Sequence, residues 1–530
     1  MTPAAFLANL GGGALRGIGR ALRKGARPCL NVAATGLAIG WMLALGKGHF
    51  IMMMQPGPQE LNEPAAWYGT WLLDHGRNPY TLAEIPGAAQ FFDPFYNYVV
   101  LALKPVLGLD YPAHRIVNFI CIVLTLWLVV TRMVRAGGSR ALALLSAALL
   151  YWLFVNNIMI TARPDCLGLL LFMLGLIVPW ERGYRPWPVV IGLGCAILAF
   201  HCKAYFALAG TGTLIGVAFH RSKGEALAMG AGFFVALFAT IGIFDHFFPL
   251  YYAEVFVMQS GSVQVNSNSE MLDRHTTMLV ARGWPFLVLL SFAFARFAVR
   301  YDWRGNLAYA RANWRSLRTP LTAQPLPVLG VVLLIHLVLI QLWMGRNGGA
   351  TFTYHIHLLF PLMMLLLAAY ASTPRSDLVA VVLLAVCVQA NFDLPWTPNS
   401  APAYDVLAKR LEPYHYVLGL ASTTEILARQ GKPVHNDGFS IFLPCAFGGG
   451  LFGRTASIDG LDRKYGESLN AIKEDVINRR VDVIMTHDDW SYLCDMETIR
   501  ANYEKHPDER LDLPMQFAWD NISFWYPKPR

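Results

Sequence analysis

The sequence predicts an α-helical polytopic membrane protein with about eleven transmembrane helices and a small C-terminal α/β domain. Three observations predict it. The 530-residue chain is 55% hydrophobic and only 15% charged, with a mean hydropathy of +0.39, whereas an ordinary soluble chain carries about 25% charge. Apolar runs near the ~20 residues that a bilayer requires recur along most of its length. Beyond about residue 400 the composition changes sharply, and short apolar strands alternate with polar helical stretches.

Residues 1–28 form a basic N-terminal segment. They lack the basic start, apolar core and small-residue cleavage site of a cleaved signal peptide. Arg16, Arg20, Arg23, Lys24 and Arg27 suit a cytoplasmic or interfacial amphipathic helix before the first span. The pI of about 9.0 does not indicate nucleic acid, because the basic residues sit in short clusters between apolar runs.

Within a transmembrane region at 29–392, spans are expected at 30–52, 113–133, 140–158, 166–180, 187–201, 204–220, 226–247, 281–297, 325–344, 352–371 and 376–391. The stretch 94–109 is shorter, carries Asn97, Lys104 and Pro105, and reads as interfacial. Charge tests this choice. With a cytoplasmic N-terminus, the inner turns gather Arg132, Arg135 and Arg140, then Arg182 and Arg185, then Arg221 and Lys223. The loop from Arg296 to Arg318 adds Arg300, Arg304, Arg311 and Arg315. The outer loops hold few cations, as the positive-inside rule requires. Counting 94–109 as a span inverts every later loop and breaks the rule. An odd number of crossings then places the C-terminal domain, 393–530, on the periplasmic face of a bacterial inner membrane. There, 416–420 and 481–485 read as strands, and 423–430 and 467–479 as helices. No internal repeat is visible.

Eight cysteines occur without a CxxC pair, which argues against zinc or redox motifs. Cys445 and Cys494 could pair in an extracytoplasmic domain or stay buried as thiols.

Two outer loops are long, 55–112 and 245–280, and long loops carry function. In the first, Asn62-Glu63-Pro64 reads as a helix start with Asn62 as cap. The helix runs to about His75 and sets Trp67, Tyr68, Trp71 and Leu72 at the membrane interface. Glu60 and Glu63 then lie just outside the first span, either as working carboxylates or as a solvated acidic turn. Asp93 opens the interfacial segment that bears Tyr96. Arg163 and Asp165 stand in a turn between two spans, where charges must pair or face a polar cavity. Lys203 lies between two closely spaced spans, suited to a phosphate or to snorkelling into the headgroups. A glycine-rich turn at Arg346, followed by Tyr354, His355 and His357, can present N–H groups to an anion. Histidines two apart on a helix point to different faces and make a poor metal pair. Asp488-Asp489 reads as a strand-end loop.

In order, these features resemble the GT-C superfamily of membrane glycosyltransferases, which includes protein O-mannosyltransferases and lipid A aminoarabinose transferases. The resemblance covers about 30–391. It rests on a first outer loop with an acidic start, the turn Gly76-Arg77-Asn78-Pro79-Tyr80, and the segment Pro94-Phe95-Tyr96-Asn97-Tyr98. His114-Arg115 at the second span, Ala162-Arg163-Pro164-Asp165, Lys203-Ala204-Tyr205, and Tyr354 to Pro361 complete it. Many members have Asp-Glu at the loop start, where this chain has Glu60-Leu61-Asn62-Glu63, so either glutamate is the counterpart. The resemblance implies an inverting transferase that moves a sugar from a polyprenyl-phosphate donor to a hydroxyl of a lipid-linked glycan, polysaccharide or protein. A carboxylate, Glu60 or Glu63, takes the hydroxyl proton. Lys203, Arg163 and Arg346 receive the departing phosphate. Asp93, Asp165, Tyr96, Tyr354 and His355 are further site candidates. No cofactor follows, and a divalent cation is left open. A lipid or glycan transporter is a competing reading, but it calls for inverted repeats and mid-span charges. A non-catalytic glycan-assembly protein is another.

Overall fold

A computed structural model of the chain describes residues 27–60, 62–85, 90, 92–156, 158–258, 291, 301–323, parts of 381–388, 399–435, 461–487, 491, 493–506, 509–515 and 519–529. Its helices, numbered over these residues, begin with α1 (Arg27–Met53), α2 (Glu63–Asp74), α3 (Phe95–Leu107), α4 (Tyr111–Arg135) and α5 (Arg140–Val155). Then follow α6 (Asp165–Glu181), α7 (Pro186–Phe200), α8 (Leu208–His220), α9 (Lys223–Phe247) and α10 (Trp303–Asn313). Three of them, at 28–53, 111–135 and 223–247, are long and apolar enough to cross a membrane. The helices at the next four expected spans, α5 to α8, are shorter. The expected spans at 281–297, 325–344 and 352–371, and most of 376–391, lie outside the described residues.

Packing follows from side-chain size. The α5 helix is apolar all round and almost wholly buried, and α1 and α4 pack along it. Next to it, α6 packs on α7 and α8. Lipid tails give no hydrophobic drive for helices to associate, so close contact between small residues has to supply it. Gly175 and Gly192 provide that contact. A Cβ at Gly192 would stand 2.7 Å from the Gly175 carbonyl oxygen and 2.4 Å from Pro179 Cγ.

Both ends of the loop between α1 and α4 are set by local chemistry. The α4 helix starts at Asp110, whose carboxylate accepts from Ala113 N at 2.8 Å, with a proline in the first turn. The α2 helix has its proline as expected, but Asn62 does not cap it. Asn62 instead gives its backbone N–H (2.9 Å) and its side-chain amide (2.5 Å) to the Glu60 carboxylate, a charged acceptor that holds the side chain away from the helix N–H groups a cap would accept from. The α2 helix is also no exposed interfacial helix: Trp67, Tyr68 and Leu72 are buried. The α3 helix forms where the interfacial segment is expected.

The C-terminal residues hold α11 (Ala401–Leu411), α12 (Thr424–Arg429), α13 (Leu461–Ile477) and α14 (Met496–Asn502). The strands are β1 (Val417–Leu418), β2 (Val483–His487), β3 (Tyr503–Lys505), β4 (Leu511–Pro514) and β5 (Trp519–Pro527). They form one mixed sheet. β1 pairs parallel to β2, β2 antiparallel to β5, and β5 takes β3 and β4 along its other edge. Leu407, Val417, Val483 and Phe524 are buried in one apolar cluster, and Ile472, Val476 and Ile484 in another. Cys494 is buried. Cys445 and Asp488-Asp489 lie outside the described residues.

Candidate active site at one end of the helices

Arg115 organises the loop between α1 and α4. It sits one turn into α4 and is fully buried. Its Nε and Nη2 donate to Glu63 at 2.8 and 2.6 Å. Nη1 also reaches Gln55 O at 2.7 Å, and Nη2 reaches Gly57 O at 2.7 Å. Glu63 further accepts from Gln59 N and Ala162 N, both at 2.5 Å. Both Glu63 oxygens are thus committed to donors on α4, the loop itself and the turn before α6. The pair is a buried, bidentate tie, and such a tie fixes geometry by leaving neither charge exposed.

Glu60 stands differently. It is held by Asn62, with Arg163 Nη1 3.4 Å away. Burial raises its carboxyl above the ordinary value, and Arg163 and Asn62 oppose that rise. Arg163 Nε donates to Asp165 Oδ2 at 3.2 Å, and its guanidinium lies 5.6 Å from the centre of the Phe92 ring. Asp165 Oδ1 accepts from Lys203 Nζ at 2.7 Å. A charged row therefore runs from Glu60 through Arg163 and Asp165 to Lys203, drawn from the first loop, the turn before α6 and the turn after α7. Lys203 is partly open to solvent. Burial lowers its pKa, while Asp165 raises it.

Asp93 lies beside this row. Its Oδ1 accepts from Phe95 N at 3.0 Å at the start of α3. Its Oδ2 accepts from the Tyr251 hydroxyl and, at 2.8 Å, from His201 Nδ1. His201 Nε2 contacts Thr240 Oγ1 at 2.9 Å, so Asp93 ties α3 to α7 and α9. Tyr96, another candidate, is fully buried and donates to His114 O at 3.0 Å. It braces α3 on α4. The Gly76–Tyr80 turn uses a positive φ of 69° at Gly76, which glycine adopts freely. Asn78 then accepts from Tyr80 N at 3.0 Å and donates to Phe247 O at 3.0 Å.

The C-terminal domain reaches the same loop. Gln59 Nε2 donates to Ser400 Oγ at 3.0 Å, and Ser400 N donates to Gln55 Oε1 at 3.2 Å. The Tyr404 ring packs on Gly57, where a Cβ would come within 2.7 Å of it. The segment carrying Glu60 is therefore pinned by Arg115 on one side and by Ser400 and Tyr404 on the other.

Structure thus gathers Glu60, Arg163, Asp165 and Lys203, seats Asp93 next to them, and gives Glu63 and Tyr96 structural contacts. Arg346, Tyr354 and His355 lie outside the described residues. Among the described residues, no group of three or more His, Cys, Asp or Glu is placed to hold a metal ion. Sequence reasoning missed His201, Tyr251 and the brace at Ser400. An apolar helix end gives no sign of a histidine partner 108 residues away.

Fold and site together define a helical membrane protein with a mostly buried charged site at one end of its apolar helices. No family model matches the chain, and no curated protein matches it. Among solved structures it is similar to ArnT from Cupriavidus metallidurans in the apo state. The identity is 14%, over 84% of this chain and 81% of that one, with a TM-score of 0.43. It is also similar to the same protein bound to undecaprenyl phosphate, at 13% identity over 84% and 80%, with a TM-score of 0.39. A third is the Archaeoglobus fulgidus oligosaccharyltransferase tethered with an acceptor peptide, at 11% identity over 94% and 74%, with a TM-score of 0.42.

Proposed function

We propose that the chain is an inverting glycosyltransferase of the GT-C kind. It moves a sugar from a polyprenyl-phosphate donor to a hydroxyl of a lipid-linked glycan, polysaccharide or protein on the periplasmic face of the inner membrane. Residues 1–28 are the inner basic segment, 29–392 the membrane domain, and 393–530 the periplasmic domain. The observation that carries this reading is the row Glu60–Arg163–Asp165–Lys203. It sets one carboxylate with a burial-raised pKa beside two cations at the outer ends of the helices.

In this reading Glu60 is the base. It takes the proton of the acceptor hydroxyl as that oxygen attacks the anomeric carbon from the face opposite the leaving group. A carboxylate with a raised pKa is the stronger base once ionised, and positioned general bases contribute roughly 10²–10⁴-fold. The bond from the anomeric carbon to the phosphate oxygen breaks, and the charge that develops on the polyprenyl phosphate falls to Lys203 and Arg163. Asp165 keeps the two cations together and mostly out of water until the phosphate arrives. Glu63 and Arg115 fix the loop.

The test is glycosyl transfer by the purified chain from a panel of polyprenyl-phosphate sugars, comparing the native protein with Glu60→Gln. Loss of transfer in a well-folded Glu60→Gln protein supports the reading. Full transfer by that variant removes Glu60 from the chemistry and moves the search to Asp93. Transport of a lipid-linked sugar without bond cleavage points to a flippase instead.

A further inference from the structure

Arg304, Arg311 and Arg315, in α10 and the turn that follows it, play no part in that site. The N-terminus of α10 is capped by Asp302, whose Oδ1 accepts from Gly305 N at 3.0 Å. Three surfaces run along the helix. Asn306 is buried, and the Asn313 carbonyl accepts from Lys223 Nζ at 2.7 Å, so that side rests on the start of α9. Gly224 N also donates to Leu317 O at 2.8 Å, and Leu321 N donates to Ala218 O at 2.9 Å. These bonds tether the helix to the ends of α8 and α9.

The second surface is apolar and open. Trp303, Leu307 and Trp314 are 53%, 53% and 67% exposed. Trp303 and Leu307 stand one turn apart, and Trp314, the C-cap residue with helical backbone angles, continues the stripe at i+11. Leu317, just beyond, is 56% exposed. The third surface, on the far side of the stripe from Asn306, carries Arg304 and Arg311, and Arg315 follows in the turn after the helix; all three are exposed. The Arg315 guanidinium lies 5.2 Å from the centre of the Trp314 ring. A Trp/Leu stripe edged by arginines, tied to the end of a span, suits neither water nor the lipid core. It matches a helix lying in the headgroup layer, with its rings at the acyl boundary and its cations among lipid phosphates.

We infer that α10 is an interfacial anchor that binds anionic phospholipid headgroups at the membrane face opposite the Glu60 site. The partner chemistry is set by charge. Three exposed arginines favour an anionic over a zwitterionic surface, and exposed tryptophans favour the interface over bulk water. The inference stands independently of the proposed enzymatic activity.

The experiment uses the full chain in nanodiscs of phosphatidylglycerol or phosphatidylcholine. Subtracting the emission of the Trp303→Phe/Trp314→Phe protein from that of the native protein isolates these two rings. Quenching of that difference by lipids brominated near the headgroup, and not by aqueous iodide, is the expected result. Quenching by iodide and not by brominated lipid overturns the inference. The second arm counts retained phosphatidylglycerol by native mass spectrometry. Arg304→Gln/Arg311→Gln/Arg315→Gln, all at exposed positions, should weaken the preference for phosphatidylglycerol roughly fivefold per arginine. An unchanged preference overturns the anionic-lipid assignment even if the rings are buried in lipid.

Discussion

Two glutamates three residues apart look interchangeable in the sequence, and their environments separate them. Glu63 completes the coordination of a fully buried Arg115. Glu63→Gln leaves that guanidinium without its counter-charge, and breaking a buried pair typically costs about 3–5 kcal/mol. A large fall in melting temperature, or loss of folded protein from detergent, is the expected outcome. Glu60→Gln should do the opposite. Burial holds the Glu60 carboxyl above its ordinary value, so the folded chain keeps this proton to higher pH than the unfolded chain does. The group therefore costs stability as pH rises from the ordinary carboxylate value through the raised one, and the cost persists above it. At neutral pH the Gln variant should melt no lower than the native protein, with transfer reduced by roughly 10²–10⁴-fold. A melting curve paired with an activity assay checks both variants.

The same displacement predicts the shape of the pH–rate profile. A base must be ionised to act, so the acidic limb of kcat/KM should lie above the ordinary glutamate value and vanish in any residual activity of Glu60→Gln. Replacing Asp165 by Asn removes the anion between Arg163 and Lys203. Two cations mostly out of water then face each other, and the burial that already lowers the Lys203 pKa is no longer offset. Lys203 should lose its proton at lower pH, so that the alkaline limb of activity moves down in Asp165→Asn. A limb that stays in place excludes Lys203 as the phosphate's partner.

At the scale of elements, helix contact depends on the small residues at the crossing. Gly192→Leu forces a side chain into the Gly175 carbonyl and Pro179, where the backbone has no room to yield. The α6–α7 contact should open, which displaces both turns that carry Arg163 and Lys203. Clashes of this kind cost typically 1–3 kcal/mol, visible as a lower melting temperature together with a raised KM for the donor. Gly194, which has nothing within 4 Å of its Cβ position, is the control: Gly194→Ala should leave both unchanged. Sequence periodicity located these helices because apolar runs of that length have few other uses. It could not set their ends, and α5 to α8 are each shorter than a full span.

For the whole molecule, the residues from Ser400 onward brace the loop between α1 and α4. Ser400 and Tyr404 hold the Gln55–Gln59 segment from outside. Ser400→Ala removes the two bonds of the hydroxyl, accepted from Gln59 Nε2 at 3.0 Å and donated to Gln55 Oε1 at 3.3 Å, each worth about 0.5–1.5 kcal/mol, and keeps the backbone N–H bond. If the brace positions Glu60, kcat should fall while the affinity for polyprenyl phosphate, measured by direct binding, stays constant. Ser400→Thr, which retains the hydroxyl, should restore it. An unchanged kcat would reduce Ser400 to a tether.

The sequence by itself determined the membrane character, the places of the first seven apolar helices, the interfacial segment at α3 and the strand-bearing C-terminal region. Each follows from local quantities: hydropathy over about twenty residues, proline and glycine at turns, and the sign of charge between spans. It also singled out Glu60, Arg163, Asp165 and Lys203, because charges next to apolar spans are costly enough to need a reason. The tertiary structure alone decided what each charge does. Arg115 meets Glu63 across 52 residues, His201 meets Asp93 across 108, and Ser400 meets Gln59 across 341. Nothing in a local window encodes such meetings. They arise when helices pack, and burial then sets each charge against its partners: Glu63 is matched by a fully buried Arg115, while burial raises the Glu60 carboxyl despite Arg163 and Asn62.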